Sequence, residues 1–368
     1  MKYKNFIKKI FATLICFCIL FLSAVPSVMV SRYYTDDSIK YAQARFQWFY
    51  EQEDNSLDVI YVGSSAIYRY DINVQNFNDY GFTSANLCTP AQPFAATKYL
   101  IEEALKTQNP KLFVIEIRQF VRTAAAAATC SEIYKSNRFE TYYSSLFSSL
   151  NYSLTRSKMI HSVIDDPKEA ISWDMEFIRH HNTWRSFSSI FDMVERVTDT
   201  SYFDKLKDIN VISVVDRNKK IKFLDYKSIK DKIQPPEEYM EVFDDLLDYI
   251  KEKNLNVLFL STPYQATKSH RSVQNYMAEY IKSRGYEYID QHEQIKEMGI
   301  DPERDYSDNY HVDLFGAEKW TKFTGKMLSK RIGQCKHYSS VNKQWDKAFE
   351  NWSEIRPKKA NTLSSKIK

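Results

Sequence analysis

Glycine is scarce in this chain: seven in 368 residues, far below ordinary usage. The few that remain are expected where the backbone requires them, Gly63 and Gly316 foremost. Cysteine is sparse too, with five in all. Cys16 and Cys18 fall in an apolar N-terminal run, and Cys88, Cys130 and Cys335 are scattered. No Cys-x-x-Cys and no Cys/His ligand spacing occurs, which excludes a disulfide framework and a zinc site. Charge of one sign is nearly absent in net terms. An excess of +4 is too slight to argue for nucleic acid, and it gathers at the two ends of the chain. No internal repeat is apparent.

Aromatics are abundant, with 26 Tyr and 23 Phe, and the length suffices for a full core. Residues 10–30 form an apolar run without a charge, about the length that crosses a bilayer core. Lys2, Lys4, Lys8 and Lys9 precede it and Asp36 and Asp37 follow, so the positive-inside rule places the N-terminus in the cytoplasm and the bulk of the chain outside. The run exceeds a signal-peptide core of roughly 7–15 residues, which favours an uncleaved single-pass anchor. A cleaved signal, with a poor processing site near Ala24, is the other reading.

Beyond this run the pattern alternates. A helical lead-in spans 31–55. Asp58-Val-Ile-Tyr-Val-Gly63, Lys111 to Ile117, Asn256 to Ser261 and Tyr286 to Asp290 read as buried strands. Ala95 to Thr107, Glu237 to Lys253, Ser269 to Arg284 and Leu314 to Ile332 read as helices, the last capped by Asp313. This predicts an α/β fold: a three-layer sandwich with a mostly parallel sheet, covering 56–335. A helical insertion at about 121–236 interrupts it. The basic stretch 336–368 reads as a frayed or surface helix with a solvated end.

Two short motifs carry chemistry. Gly63-Ser64-Ser65 follows the first strand, and Asp308-Asn309-Tyr310-His311 leads into the last helix. In a parallel sheet both reach the carboxyl edge of the strands, where ligands bind. A serine hydroxyl needs a base to act as a nucleophile. A histidine held by a carboxylate supplies one. Ser65, His311 and Asp308 therefore form a candidate nucleophile, base and orienting acid. A helix starting after Ser65 would present free N–H groups to an oxyanion. Each motif alone is weak; agreement in order and placement gives the pair its weight. Tyr264, beyond the strand ending at Ser261, is a further candidate for the cleft, with ordinary packing as the plain alternative.

These blocks resemble those of the SGNH (GDSL-like) hydrolase superfamily. The likeness is greatest to its membrane-anchored extracytoplasmic branch, which includes the D-alanine-transfer protein of teichoic acid modification and the alginate-type O-acetylation proteins. Gly63-Ser64-Ser65 corresponds to the nucleophile block, and Asp308, His311, Gly316 and Ala317 to the closing block, over residues 56–332. The resemblance implies that Ser65 is the nucleophile, His311 the base and Asp308 its partner. It implies an oxyanion N–H after the second strand, where Asn86 to Pro93 has no Gly and Cys88 or Thr89 would serve. Gln119 would stand in for the family's Asn, and Arg118 would hold an anionic group or pair with a nearby acid. His180-His181-Asn182-Thr183-Trp184 resembles a His-x-x-Trp stretch of the same branch, making His181 a candidate for an acceptor site. The implied function is serine-dependent acyl transfer or ester hydrolysis on an envelope polysaccharide or teichoic-acid-like polymer. It needs no cofactor or metal, and its acyl donor would come through a membrane-bound O-acyltransferase-type partner. A catalytically weak glycan-binding scaffold on the same fold is the competing expectation.

Overall fold

The computed structural model describes residues 6–18, 37–128, 138–175, 179 and 221–367. Residues 6–18 form helix α1, and its apolar side chains are exposed, Phe11 at 65% and Phe17 at 68%. Among the described residues no helix is long and apolar enough to cross a membrane. Residues 19–36, most of the expected span, lie outside them.

Five strands build one parallel sheet: β1 (Val59–Gly63), β2 (Ser84–Cys88), β3 (Leu112–Glu116), β4 (Val257–Ser261) and β5 (Glu287–Asp290), in the order β2-β1-β3-β4-β5. Every residue of β1 to β4 is buried, as expected when helices cover both faces of a parallel sheet. The sheet is therefore wholly parallel, and it includes β2, which hydrophobic pattern does not reveal. Ser84-Ala-Asn-Leu-Cys88 carries small and polar residues. Its polar groups are satisfied internally, since Asn73 Nδ2 donates to Ser84 Oγ at 2.7 Å and Asn86 Nδ2 donates to Asn73 Oδ1 at 3.1 Å.

The connecting helices are α2 (Asp37–Tyr50), α3 (Ser65–Tyr68), α4 (Asn73–Tyr80), α5 (Ala96–Ala104), α6 (Arg118–Ala128), α7 (Arg138–Phe147), α8 (Leu154–Val163), α9 (Pro167–Asp174), α10 (Glu237–Glu252), α11 (Lys268–Ser283), α12 (Ile295–Met298), α13 (Leu314–Ile332) and α14 (Ser339–Ile367). The expected insertion is mostly helical among its described residues up to 175, whereas residues 221–236 are turn and irregular. α4, α13 and α14 pack together, and α5 packs with α8 and α10. Trp320 of α13 is fully buried and donates from Nε1 to Gln291 Oε1 at 2.7 Å. Replacing such a side chain with Ala costs about 3–5 kcal/mol.

The segment from 336 onward is not the solvated end that its basic composition suggests. α14 is a docked helix. Val341, Trp345, Ala348 and Trp352 recur at helical spacing and are buried, Trp345 lies edge-on to Trp48 at 5.4 Å, and its Nε1 donates to Gln52 Oε1 at 3.0 Å. The lysines occupy the opposite face of an amphipathic helix.

The strand order reverses direction between β1 and β3, both next to each other at the centre of the sheet. Beyond the carboxyl ends at such a switch point lies the crevice of a doubly wound sheet. Ser65 is placed there.

Candidate active site

Ser65 is the first residue of α3. The Ser64 side chain caps this helix, its Oγ accepting from Ala66 N at 3.3 Å. The turn from β1 into α3 is close to β3. A Cβ on Gly63 would meet Glu116 Cβ at 2.9 Å, so close approach of two strands, rather than a left-handed backbone, demands glycine there. Gly316 is required for a similar reason: a Cβ would lie 2.5 Å from the Asp305 carbonyl. The start of α13 is thereby pressed against the 305–312 loop.

That loop places Asp308 and His311. Asp308 Oδ1 accepts the backbone N–H groups of Tyr310 at 2.7 Å and of His311 at 2.9 Å. His311 Nδ1 lies 3.0 and 2.9 Å from the two Asp308 oxygens, and His311 Nε2 lies 2.8 Å from Ser65 Oγ. The two motifs, 246 residues apart in sequence, thus meet as one hydrogen-bonded chain. Burial would raise the Asp308 carboxyl, but its hydrogen bonds, that with His311 first, hold it at about 2. An ionised Asp308 accepts from Nδ1–H, which leaves Nε2 to accept the Ser65 hydroxyl proton. Burial pushes the His311 imidazole down to about 4, against the pull of Asp308 and helped by the Arg118 and Arg69 guanidiniums. The ring is therefore neutral, in the form of a base, across the neutral range.

Arg118 is buried behind this chain. Its Nη1 donates to the Tyr310 carbonyl at 2.7 Å and to Thr262 Oγ1 at 3.3 Å, and the guanidinium lies 5.2 Å from the Tyr264 ring centre. The Arg118 charge also acts on Glu116, the nearby acid, where it opposes the effect of burial. The Arg118 side chain holds the peptide next to His311, while Glu116 accepts from the Arg118 backbone N–H at 2.7 Å. Burial pushes the Glu116 carboxyl up to about 7. Tyr70 completes the support, its hydroxyl donating to Pro263 O and, at 3.3 Å, to Tyr310 O. Sequence reasoning did not single out Tyr70. Its signal is only proximity to Ser65 in the chain.

Tyr264 is fully buried, so it does not flank a cleft. Its ring lies 6.2 Å from Tyr310, and its backbone is held by His292 and by the Tyr226 hydroxyl, which donates to Tyr264 O at 2.9 Å. Burial leaves its phenol strongly disfavoured from ionising. Thr89 N–H is committed to Gln92 Oε1 at 3.1 Å. Cys88 ends β2 opposite Gly63, fully buried, its thiol donating to Tyr61 O at 3.7 Å. The glycine-like position in this stretch is Ala91, at φ 44°. A left-handed alanine is unusual, and this one lies in the turn after β2. His181 lies outside the described residues.

A cleft of about 680 Å³ lies between the turn after β2, α6, α7, α8 and α10, and Ser65, Asp308 and His311 are not among its lining residues. Ala91, Phe94, Gln119, Arg122, Tyr143 and Tyr239 line it. Its Arg122 reaches the loop that carries His311: the guanidinium lies 4.1 Å over the Tyr310 ring and donates to Gln119 Oε1 at 3.4 Å. Among the described residues no group of His, Cys, Asp or Glu side chains could hold a metal ion.

Comparison with protein-family models, with curated proteins and with solved structures found no match.

Proposed function

We propose that this protein is an extracytoplasmic serine enzyme of the SGNH type that transfers an acyl group to, or removes it from, a hydroxyl of an envelope polymer. The observation that carries the reading is the continuous hydrogen-bonded chain Ser65 Oγ, His311, Asp308 at 2.8 and 2.9 Å. Ser65 Oγ attacks the acyl carbonyl while its proton passes to His311 Nε2. The tetrahedral adduct collapses, the donor's leaving oxygen takes that proton, and an acyl-Ser65 ester remains. An acceptor hydroxyl then gives its proton to His311 and attacks the ester, which releases Ser65. A polymer hydroxyl as acceptor completes a transfer; water completes a hydrolysis. The N–H groups at the start of α3 and in the turn at Ala91 stabilise the oxyanion. The cleft, lined by aromatic side chains together with Gln119, Arg122, Asp165 and Glu238, suits an extended polar acceptor rather than a single small molecule.

The charge-free run 10–30 serves as a single-pass anchor with the N-terminus inside, and the exposed apolar side chains of α1 agree with a lipid surrounding. An anchored enzyme stands beside a membrane-bound O-acyltransferase-type donor partner. The test is labelling by a serine-directed fluorophosphonate. Labelling of the full chain that vanishes in Ser65→Ala supports the reading. Absence of labelling in folded protein overturns it in favour of a glycan-binding scaffold.

A further inference from the structure

The two long helices on the β2 side of the sheet run in opposite directions. α2 runs away from the carboxyl edge. Its Arg45 Nη2 donates to Cys88 O, at the carboxyl end of β2, at 3.1 Å, and the Arg45 guanidinium lies 3.8 Å over the Tyr68 ring of α3. Further along, Asn55 N donates to Thr107 O, at the other edge of the sheet. α14 makes the return journey. It is preceded by His337, whose Nε2 lies 2.7 Å from Asp58 Oδ2 at the amino end of β1. It later reaches Glu318, near the start of α13, which Arg356 binds through two hydrogen bonds at 2.7 and 2.9 Å. α13 begins at the carboxyl edge, directly after His311.

The consequence is that the start of α2 and the last turns of α14 lie on the same side of the domain as Ser65. α2 begins eight residues before Arg45, a rise of roughly 12 Å at 1.5 Å per residue. Whatever precedes Asp37 therefore joins the domain above the catalytic edge. α14 has 29 residues, about 43 Å of helix, against five-residue strands of about 17 Å. Its end past Arg356 carries Lys358, exposed, and Lys359, half-buried, while Ala360 and Leu363 keep it docked on the body.

We propose that the catalytic edge of this domain faces the bilayer, with the last turns of α14 resting against the lipid headgroups. The proposal rests on the anchor reading of residues 10–30, and adds an orientation that the reading alone leaves open. A tether attached at the amino edge of the sheet would hold Ser65 away from the membrane. Attached above the carboxyl edge, it brings the Ser65 hydroxyl to the plane from which a membrane partner delivers acyl groups. Basic residues near a bilayer surface are attracted to anionic lipids.

The test is lysine footprinting of the full chain in vesicles of equal parts phosphatidylglycerol and phosphatidylcholine, with detergent-solubilised protein as reference. Acylation of Lys358 by a membrane-impermeant reagent should slow several-fold in vesicles. Lys253 and Lys336, exposed at the amino edge, should react as they do in detergent. Equal rates for all three lysines in protein that floats with the vesicles overturn the orientation and leave the anchor standing. Protein that does not float with the vesicles overturns the anchor and the orientation together.

Discussion

Asp–His pairs occur at both edges of the sheet, and their difference shows what makes one of them a catalytic candidate. At the carboxyl edge His311 gives Nδ1 to Asp308 and keeps Nε2 for Ser65. At the amino edge His337 points Nε2 itself at Asp58, 2.7 Å away, with Thr83 Oγ1 at 3.4 Å. There the pair ties the approach to α14 to the start of β1. A third pair shares the first one's arrangement but not its free nitrogen: His292 Nδ1 lies 3.0 Å from Asp290, and its Nε2 lies 3.1 Å from the Tyr264 backbone N–H. Both nitrogens are then consumed by protein. A carboxylate beside an imidazole is thus common in this molecule, and a second nitrogen aimed at a serine hydroxyl distinguishes the Ser65 site.

The largest expected effect separates the two edges. Asp308→Asn should reduce turnover by roughly 10⁴-fold, the loss seen when the orienting acid of a serine triad is neutralised, with only a modest loss of stability, because Asp308 is half exposed although it holds the Tyr310 and His311 backbone N–H groups. Asp58→Asn should do the reverse. It should leave turnover near the unmutated value and lower the unfolding free energy by about 1–3 kcal/mol, since it disrupts hydrogen bonds to Thr83 and His337 in a buried setting. Ester turnover and urea unfolding of both variants measure the contrast. Equal losses of turnover would mean that the amino edge is not merely structural.

A second prediction concerns pH. His311 has its folded value at about 4, below the ordinary imidazole value. The base is then present above pH 4, and the acid limb of kcat/KM should fall near there rather than near 6.5. The sign for stability follows: the unfolded chain binds the extra proton first, so stability falls as pH drops from about 6.5 towards 4. As a candidate positioning residue, Arg118 has a recognisable electrostatic signature. Arg118→Met removes a cation that disfavours imidazolium, so the acid limb should move to higher pH, while the fold loses about 1–3 kcal/mol because the Tyr310 carbonyl keeps only its longer bond from Tyr70. A purely structural role would lower turnover and leave the limb in place.

How much of this was legible in sequence follows from the range of each interaction. Ser65, Asp308 and His311 stand in short motifs at strand and helix ends, so local pattern finds them and a parallel sheet brings them to one edge. α14 was legible in principle, because Val341, Trp345, Ala348 and Trp352 form a helical stripe, but the lysines around them dominate the composition. β2 was hidden, since its strand character depends on Asn73 and Asp71 satisfying polar side chains from another element. Arg118 is the hardest case. Its partner is a backbone carbonyl 192 residues away, and no spacing rule reports that.

The smallest effect sharpens the comparison at the carboxyl edge alone. Ala91 holds φ 44° in the turn after β2, a region that costs an L-residue roughly 1 kcal/mol. Pro93 follows closely and Gln92 clamps Thr89, so the surrounding turn imposes the conformation. Glycine would relieve the strain but would also widen the unfolded ensemble. Relief and entropy oppose each other, and the net expected for Ala91→Gly is a gain of about 0.5 kcal/mol. The informative readout is catalysis. If an N–H of this turn meets the oxyanion, added backbone freedom should lower kcat while KM holds, because such a donor acts only on the transition state. Unchanged kcat with higher stability would place the turn outside the chemistry and leave the start of α3 as the source of oxyanion donors.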